Sequence, residues 1–389
     1  MRLIHSLFKN KEDAFVAKAR FVVGSSIKNE DILWATKFFA PDSFPFMDIE
    51  GKKIMVANAL EYGRAKKEAK VDEVVSAEEL TEQDENLPDS EKKGLYRRLF
   101  EKYGVDTLIV QPDFPAGIYK FLSENGIIFE FKTQLFPERE IKDAYEIADI
   151  AHAQRAMEEV FPMLVKILAD ADIHDGKVWY DGGYVTSEML RLVFDTELMQ
   201  RDCVCEATII ASGDQAADPH SIGTGPILAN TLIVFDMFPR SRKKWYWSDM
   251  TRMVSKGKVS PEARKLYEAV YEAQLIGIDM VEPGVNFHDI HKSAAKHLET
   301  RGFKTGRDEN GDPFGFFHSI GHGVGLEIHE MPFARKNQSN ILKPGNVITI
   351  EPGLYYKGIG GARIEDTLFV TDNGNINFAK TPKELIELP

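Results

Sequence analysis

The stretch FHSIGHGVGLEIHE, residues 317–330, places His318, His322 and His329 within twelve positions and sets glycines at 321, 323 and 325 between them. Three glycines at alternate positions make a poor helix. They also let a strand backbone approach closely to whatever lies near His322. Seven of the chain's ten histidines fall between His220 and His329. His288, His291 and His297 lie in a helical pattern over 288–300 and read as surface or helix-packing residues. The 317–330 stretch instead reads as part of a site.

Carboxylates flank this stretch on both sides. Upstream, the apolar run 231–235 ends in Asp236, and a polar segment, 239–244, leads to a returning run, 245–251, that contains Asp249. A hairpin centred between Arg242 and Lys243 puts Asp236 opposite Asp249, where Cβ atoms stand ~4.5–5.5 Å apart on one face. Downstream, the strand pattern 347–350 runs into Glu351-Pro-Gly, turns at 358–361 and returns through 362–370. Glu351 and Glu365 are symmetric about Gly358, which predicts a second facing pair. Two half-buried carboxylates this close repel unless a cation or a proton lies between them.

Four carboxylates and one imidazole form a hard, oxygen-rich donor set. It suits two divalent ions of the Mn, Co, Fe or Zn kind better than a closed structural zinc site, which would use thiolates. Paired ions ~3.5–4 Å apart need bridging carboxylates and hold a water or hydroxide as nucleophile. The implied chemistry is metal-assisted hydrolysis of an amide or ester.

From about residue 138 onward the sequence resembles the catalytic domain of the pita-bread metallopeptidases, the superfamily of methionine aminopeptidase, aminopeptidase P, prolidase and creatinase. Four motifs in order carry the resemblance: Ser212-Gly213 through Pro219-His220; Asp236 through Ser248-Asp249-Met-Thr-Arg252; His318 through Gly321-His322-Gly-Val-Gly325 and His329-Glu330; and Glu351-Pro-Gly353 with Arg363-Ile-Glu365-Asp366. The resemblance implies an α+β fold: a pita-bread catalytic domain over 137–389, preceded by a smaller creatinase-like α/β domain over 1–136. It makes Asp236 a ligand of one metal, His322 and Glu351 ligands of the other, and Asp249 and Glu365 the bridges, with Mn foremost among the candidate metals. It casts Glu351 as general base, and His220 and His329 as donors to the substrate carbonyl and tetrahedral intermediate. His318 and Arg363 match substrate-binding positions in the branch that cleaves Xaa-Pro bonds. The substrate implied is a dipeptide or the N-terminus of a peptide, and the assembly implied is a homodimer. A metal-free creatinase-like hydrolase and an inactive binding module both predict lost ligands, and all five are present. A metallo-aminopeptidase of other specificity stays open. Two departures stand out. Asp236 and Asp249 are thirteen positions apart, a couple more than in common members, and Met253 stands where Thr is usual.

The remaining sequence bounds the setting. A chain of 389 residues suits two domains. With 48 Lys+Arg against 61 Asp+Glu, the net charge of −13 argues against a nucleic-acid partner. No apolar run reaches the ~18 residues of a membrane span, and the start, MRLIHSLFKNKEDAF, lacks a secretory-signal pattern. Cys203 and Cys205 read as buried thiols of a reducing cytoplasm. In the leading domain the pattern predicts strands at 20–24, 107–110 and 127–131, a hairpin of 44–47 with 53–56, and helices at 58–69 (capped by Asn58) and 115–123. The acidic stretch 73–91 reads as a solvated surface segment. Further on, a long helix runs to about 171, with Pro162 expected to kink or break it. Strands dominate beyond it, with helices at 261–280 and 288–300.

Overall fold

Residues 17–81, 93–335 and 340–389 are described in a computed structural model, and the chain divides into two units, Met1–Pro137 and Glu138–Pro389. In the first unit a sheet runs in the order Glu73–Ser76, Lys52–Ala57, Phe44–Ile49, Ala17–Gly24, Val105–Val110, Ile128–Phe131. Phe44–Ile49 is antiparallel to both neighbours; the other pairings are parallel. Successive strand residues point to opposite faces. Phe21, Met47 and Ile54 accordingly join the core under the Lys93–Tyr103 and Ala116–Glu124 helices. Val22, Phe46 and Met55 join the core under Glu30–Thr36 and Ala59–Glu68. The Phe44–Lys52 hairpin closes on Glu50-Gly51, both at positive φ (50° and 93°), the geometry tight two-residue hairpins require. Asn58 caps its helix by accepting from the Glu61 N–H.

The acidic stretch differs from its expected reading. Glu73–Ser76 is an edge strand and Ala77–Thr81 a short helix, because Val75 and Leu80 supply buried anchors to the core. The rest of that stretch, 82–91, lies outside the described residues.

The second unit is built on a sheet ordered Ile209–Ser212, Ile233–Met237, Met250–Lys256, Glu365–Thr371, Val347–Ile350, His322–Gly323, Glu330–Phe333, with Gly374–Asn377 and Ile386–Leu388 paired at its side. One core joins Phe235, Met250 and Val254 to the helices Ala144–Asp170 and Ser187–Gln200. The other joins Val234, Met253, Ile348 and Leu368 to Pro261–Asp279 and Phe287–Thr300. Asp143 and Glu146 cap the first helix reciprocally. That helix runs unbroken through Pro162. The proline sits on the exposed face, while Met157, Phe161, Leu164 and Leu168 bury the opposite stripe on both sides of it. The Ser187–Gln200 helix falls where strands were expected. Its signals are the Thr186 cap on the Met189 N–H and buried Leu190, Phe194 and Leu198 at fourfold spacing. Among the described residues no helix is long and apolar enough to cross a membrane.

Candidate metal centre

The nine residues singled out from the sequence line one cleft of about 780 Å³: His220, Asp236, Asp249, His318, His322, His329, Glu351, Arg363 and Glu365. Neighbouring strand ends bring them together. Asp236 lies near the end of Ile233–Met237, Glu365 opens its strand, and His322 starts the short strand beside Val347–Ile350, which Glu351 follows.

The first hairpin departs from the expected register. Asp236 pairs with Thr251, not with Asp249. The turn is centred one residue later than expected, since Arg240 bridges Trp247 and the Ser241 N–H donates to the Tyr246 carbonyl, while Arg240–Ser241 also pairs with Cys203–Val204. The offset is two residues, so side-chain parity is kept and Asp249 still faces the cleft. Thr251 then stands between the acids: its Oγ1 lies 2.9 Å from both Asp236 Oδ1 and Glu365 Oε2. The second hairpin has the expected centre, with Gly353 opposite Arg363 and Tyr356 opposite Gly360.

Asp249, His322 and Glu365 each offer a donor atom within 4.8 Å of the others. His322 Nε2 is 3.4 Å from Glu351 Oε1, 3.9 Å from Glu365 Oε1 and 4.0 Å from Asp249 Oδ2. Its Nδ1 faces the Gly323 carbonyl at 3.1 Å. A proton there would leave the Nε2 lone pair turned toward the acids, the arrangement of a ligating histidine. The glycine spacing has a structural reason: a Cβ at Gly321 would sit 2.0 Å from the Thr349 carbonyl. Asp236 is set apart, since its Oδ2 takes an ion pair from Arg363 Nη2 at 2.5 Å.

The electrostatics suit a cation-binding site. Asp249 Oδ1 and Glu365 Oε1 are buried with no hydrogen-bond partner. Burial, then the charge of Glu365, pushes the Asp249 and Glu351 carboxyls well above the usual range. Burial and Asp236 raise Glu365 to about 7. Burial, reinforced by His329, lowers His322 to about 3, keeping it neutral and able to ligate. Divalent cations would reverse the acid shifts and take up the orphaned oxygens.

The outer residues sit on the cleft wall. The His329 ring stands edge-on to His322, with centroids 4.3 Å apart at 85°. His220 is exposed, its N–H donating to Asp218 Oδ1. Sequence reasoning missed Tyr355, the centre of a relay. Its hydroxyl accepts from Arg363 Nη1 at 2.7 Å and lies 3.0 Å from His318 Nε2, whose Nδ1 faces the Ser319 carbonyl at 2.7 Å. Thr251 was legible by parity, two residues from Asp249; nothing in the sequence marks Tyr355.

The model of metallopeptidase family M24 matches residues 139–372. An Xaa-Pro dipeptidase from Pyrococcus horikoshii is 31% identical over 327 residues, covering 79% of this chain and 83% of that protein. An uncharacterised peptidase of Bacillus subtilis is 37% identical over 181 residues, 46% of this chain and about half (48%) of the relative's own length. Among solved structures, a prolidase from Pyrococcus furiosus superposes with a TM-score of 0.75 at 26% identity, covering 94% of this chain and 96% of that one. The α+β fold is therefore shared along nearly the whole chain.

Proposed function

The chain belongs to metallopeptidase family M24, and from that premise we propose that it is a dinuclear metal-dependent peptidase that hydrolyses Xaa-Pro bonds in dipeptides or at the N-terminus of peptides. The observation that carries this reading is the buried cluster of Asp249, His322, Glu351 and Glu365 with its orphaned carboxylate oxygens. The proline preference is supported by the likeness to the Pyrococcus Xaa-Pro dipeptidase.

In this reading Asp236 and Asp249 hold one ion, His322 and Glu351 the other, and Asp249 and Glu365 are shared. Two bound divalent ions, Mn foremost, would supply an acidified water and polarise the scissile carbonyl. Glu351 takes the proton of the attacking water and returns it to the leaving imino nitrogen. His329 and His220, on the cleft wall, donate to the oxygen on which negative charge develops. Arg363 offsets the charge of Asp236 and, through the Tyr355 hydroxyl, holds His318 against the substrate-facing wall. A homodimer in the cytoplasm completes the proposal. The free, buried thiols of Cys203 and Cys205 support a reducing compartment.

The test compares Xaa-Pro dipeptides, Xaa-Pro-Yaa peptides and a non-proline control with added Mn or Co. Selective cleavage of a proline series is expected, and equal cleavage of the control rejects the proline assignment.

A further inference from the structure

Glu330 follows His329 in sequence, yet its side chain turns away from the cleft into a buried ion cluster. Its Oε1 accepts from Lys142 Nζ, and its Oε2 accepts from Arg139 Nη2 at 2.8 Å and from the Glu327 N–H at 3.3 Å. Arg139 Nη2 also reaches Glu327 Oε2 at 2.8 Å. The loop is wrapped tightly around this carboxylate, since a Cβ at Gly325 would lie 2.4 Å from Glu330 Oε1. On the loop's other side, the Trp247 N–H donates to the Gly325 carbonyl at 2.8 Å and its indole Nε1–H to the Leu326 carbonyl at 3.0 Å. The next residue back, Tyr246, donates through its hydroxyl to Glu146 Oε1 at 2.5 Å. The first grip comes from the segment just before the Ala144–Asp170 helix, and the second comes from Trp247, whose neighbour Tyr246 is bonded to Glu146 in the helix's first turn.

Arg139, Lys142 and Glu330 do not line the cleft. A buried ion cluster contributes little net stability over an apolar replacement, and its best use is to specify geometry. Glu330 also pairs with Gly323, the residue after His322, so the cluster is tied to the strand that carries the imidazole.

We propose that Glu330, clamped by Arg139 and Lys142, is a positioning residue that fixes the 325–330 loop so that His329 stands edge-on to His322. This rests on the assignment of His329 as a donor to the developing oxyanion. Disturbing the clamp then costs turnover through His329 alone.

The experiment is a double-mutant cycle on the full, Mn-loaded chain with an Xaa-Pro dipeptide. Glu330→Gln strands two cations and is apt to unfold the protein, so Arg139→Met is the primary variant; Lys142 still pairs Glu330 in it. Arg139→Met is expected to lower kcat about tenfold with KM held within about twofold, and Arg139→Lys to restore most of it. In a His329→Ala background, Arg139→Met is expected to change kcat by less than about twofold. The same fold-loss in both backgrounds overturns the positioning role while leaving the assignment of His329 standing. A lowered melting temperature with unchanged kcat overturns it as well. A His329→Ala chain with the wild-type kcat overturns the assignment of His329 and the positioning role with it.

Discussion

Glu330 on one side, and Asp249, Glu351 and Glu365 on the other, are acids of the second unit that the fold treats in opposite ways. Glu330 is buried, and burial alone would raise its pKa, but the charges of Lys142 and Arg139 outweigh that and hold it below the usual range. Asp249 and Glu365 are comparably buried and Glu351 nearly so; Arg363 lowers each of them but is itself ion-paired with Asp236, so burial and the repulsion among these acids raise all three. Residue type matches; what differs is whether the chain supplies the acid with a cation paired to it. Where it does, the acid is a structural clamp. Where it does not, the protein has built a site with a place for positive charge from outside.

Removing an acid from the second group breaks the contrast most sharply. Glu365→Gln deletes one of the donor atoms clustered with Asp249 and His322 and is expected to abolish nearly all Mn-dependent turnover while the fold persists by circular dichroism. Full activity would refute its assignment as a bridge. Glu351→Gln is expected to lower kcat by about 10²–10⁴-fold, the range of a lost general base, read from steady-state kinetics at saturating metal.

On the clamp side, Glu330→Gln leaves buried cations uncompensated and is expected to cost about 3–5 kcal/mol in denaturant unfolding. A loss well under 1 kcal/mol would show that the clamp is not a buried, charge-balanced unit. The mildest and most diagnostic difference is in pH. In metal-free protein Glu365 titrates near 7, against an ordinary 4.5, so the folded chain binds more protons than the unfolded one between those values. Stability therefore falls as pH rises through this window. Asp249 and Glu351 act in the same direction. Glu330 acts in the other: its contribution is present above its unfolded value and lost as pH falls through its lowered folded one. Glu365→Gln is therefore expected to stabilise the metal-free protein at pH 8 and hardly change it at pH 4. Melting temperatures across this range, with and without the substitution, decide the point, and an unchanged slope would contradict it.

The difference between the two groups also explains what the sequence disclosed. The metal-site acids sit on strands whose twofold periodicity fixes which side chains share a face, so Asp236, Asp249, Glu351 and Glu365 could be placed together from spacing and family resemblance. Exact register was out of reach. It depends on where within the polar run the turn is centred, and Arg240 bridging Trp247 with the Ser241 N–H on the Tyr246 carbonyl sets it one residue later than the symmetric reading. The clamp joins Lys142 to Glu330 across 188 positions, and nothing periodic links them. Tyr355 was hidden for the same reason, because its partners Arg363 and His318 come from separate strands and loops. Pro162 misled because a proline on a helix's exposed face is tolerated when the opposite stripe is well buried. The Ser187–Gln200 helix was obscured by the neighbouring glycine-rich turns, although its fourfold apolar spacing was present.

The orphaned carboxylate oxygens of Asp249 and Glu365 suit divalent metal. Metal-stripped protein titrated with Mn, with binding followed by calorimetry and bound metal counted after desalting, tests it directly. Two equivalents per chain are expected for the native sequence, with loss of tight binding in Glu365→Gln. A native protein that takes up no divalent ion, or a Glu365→Gln chain that still binds two, would contradict that expectation.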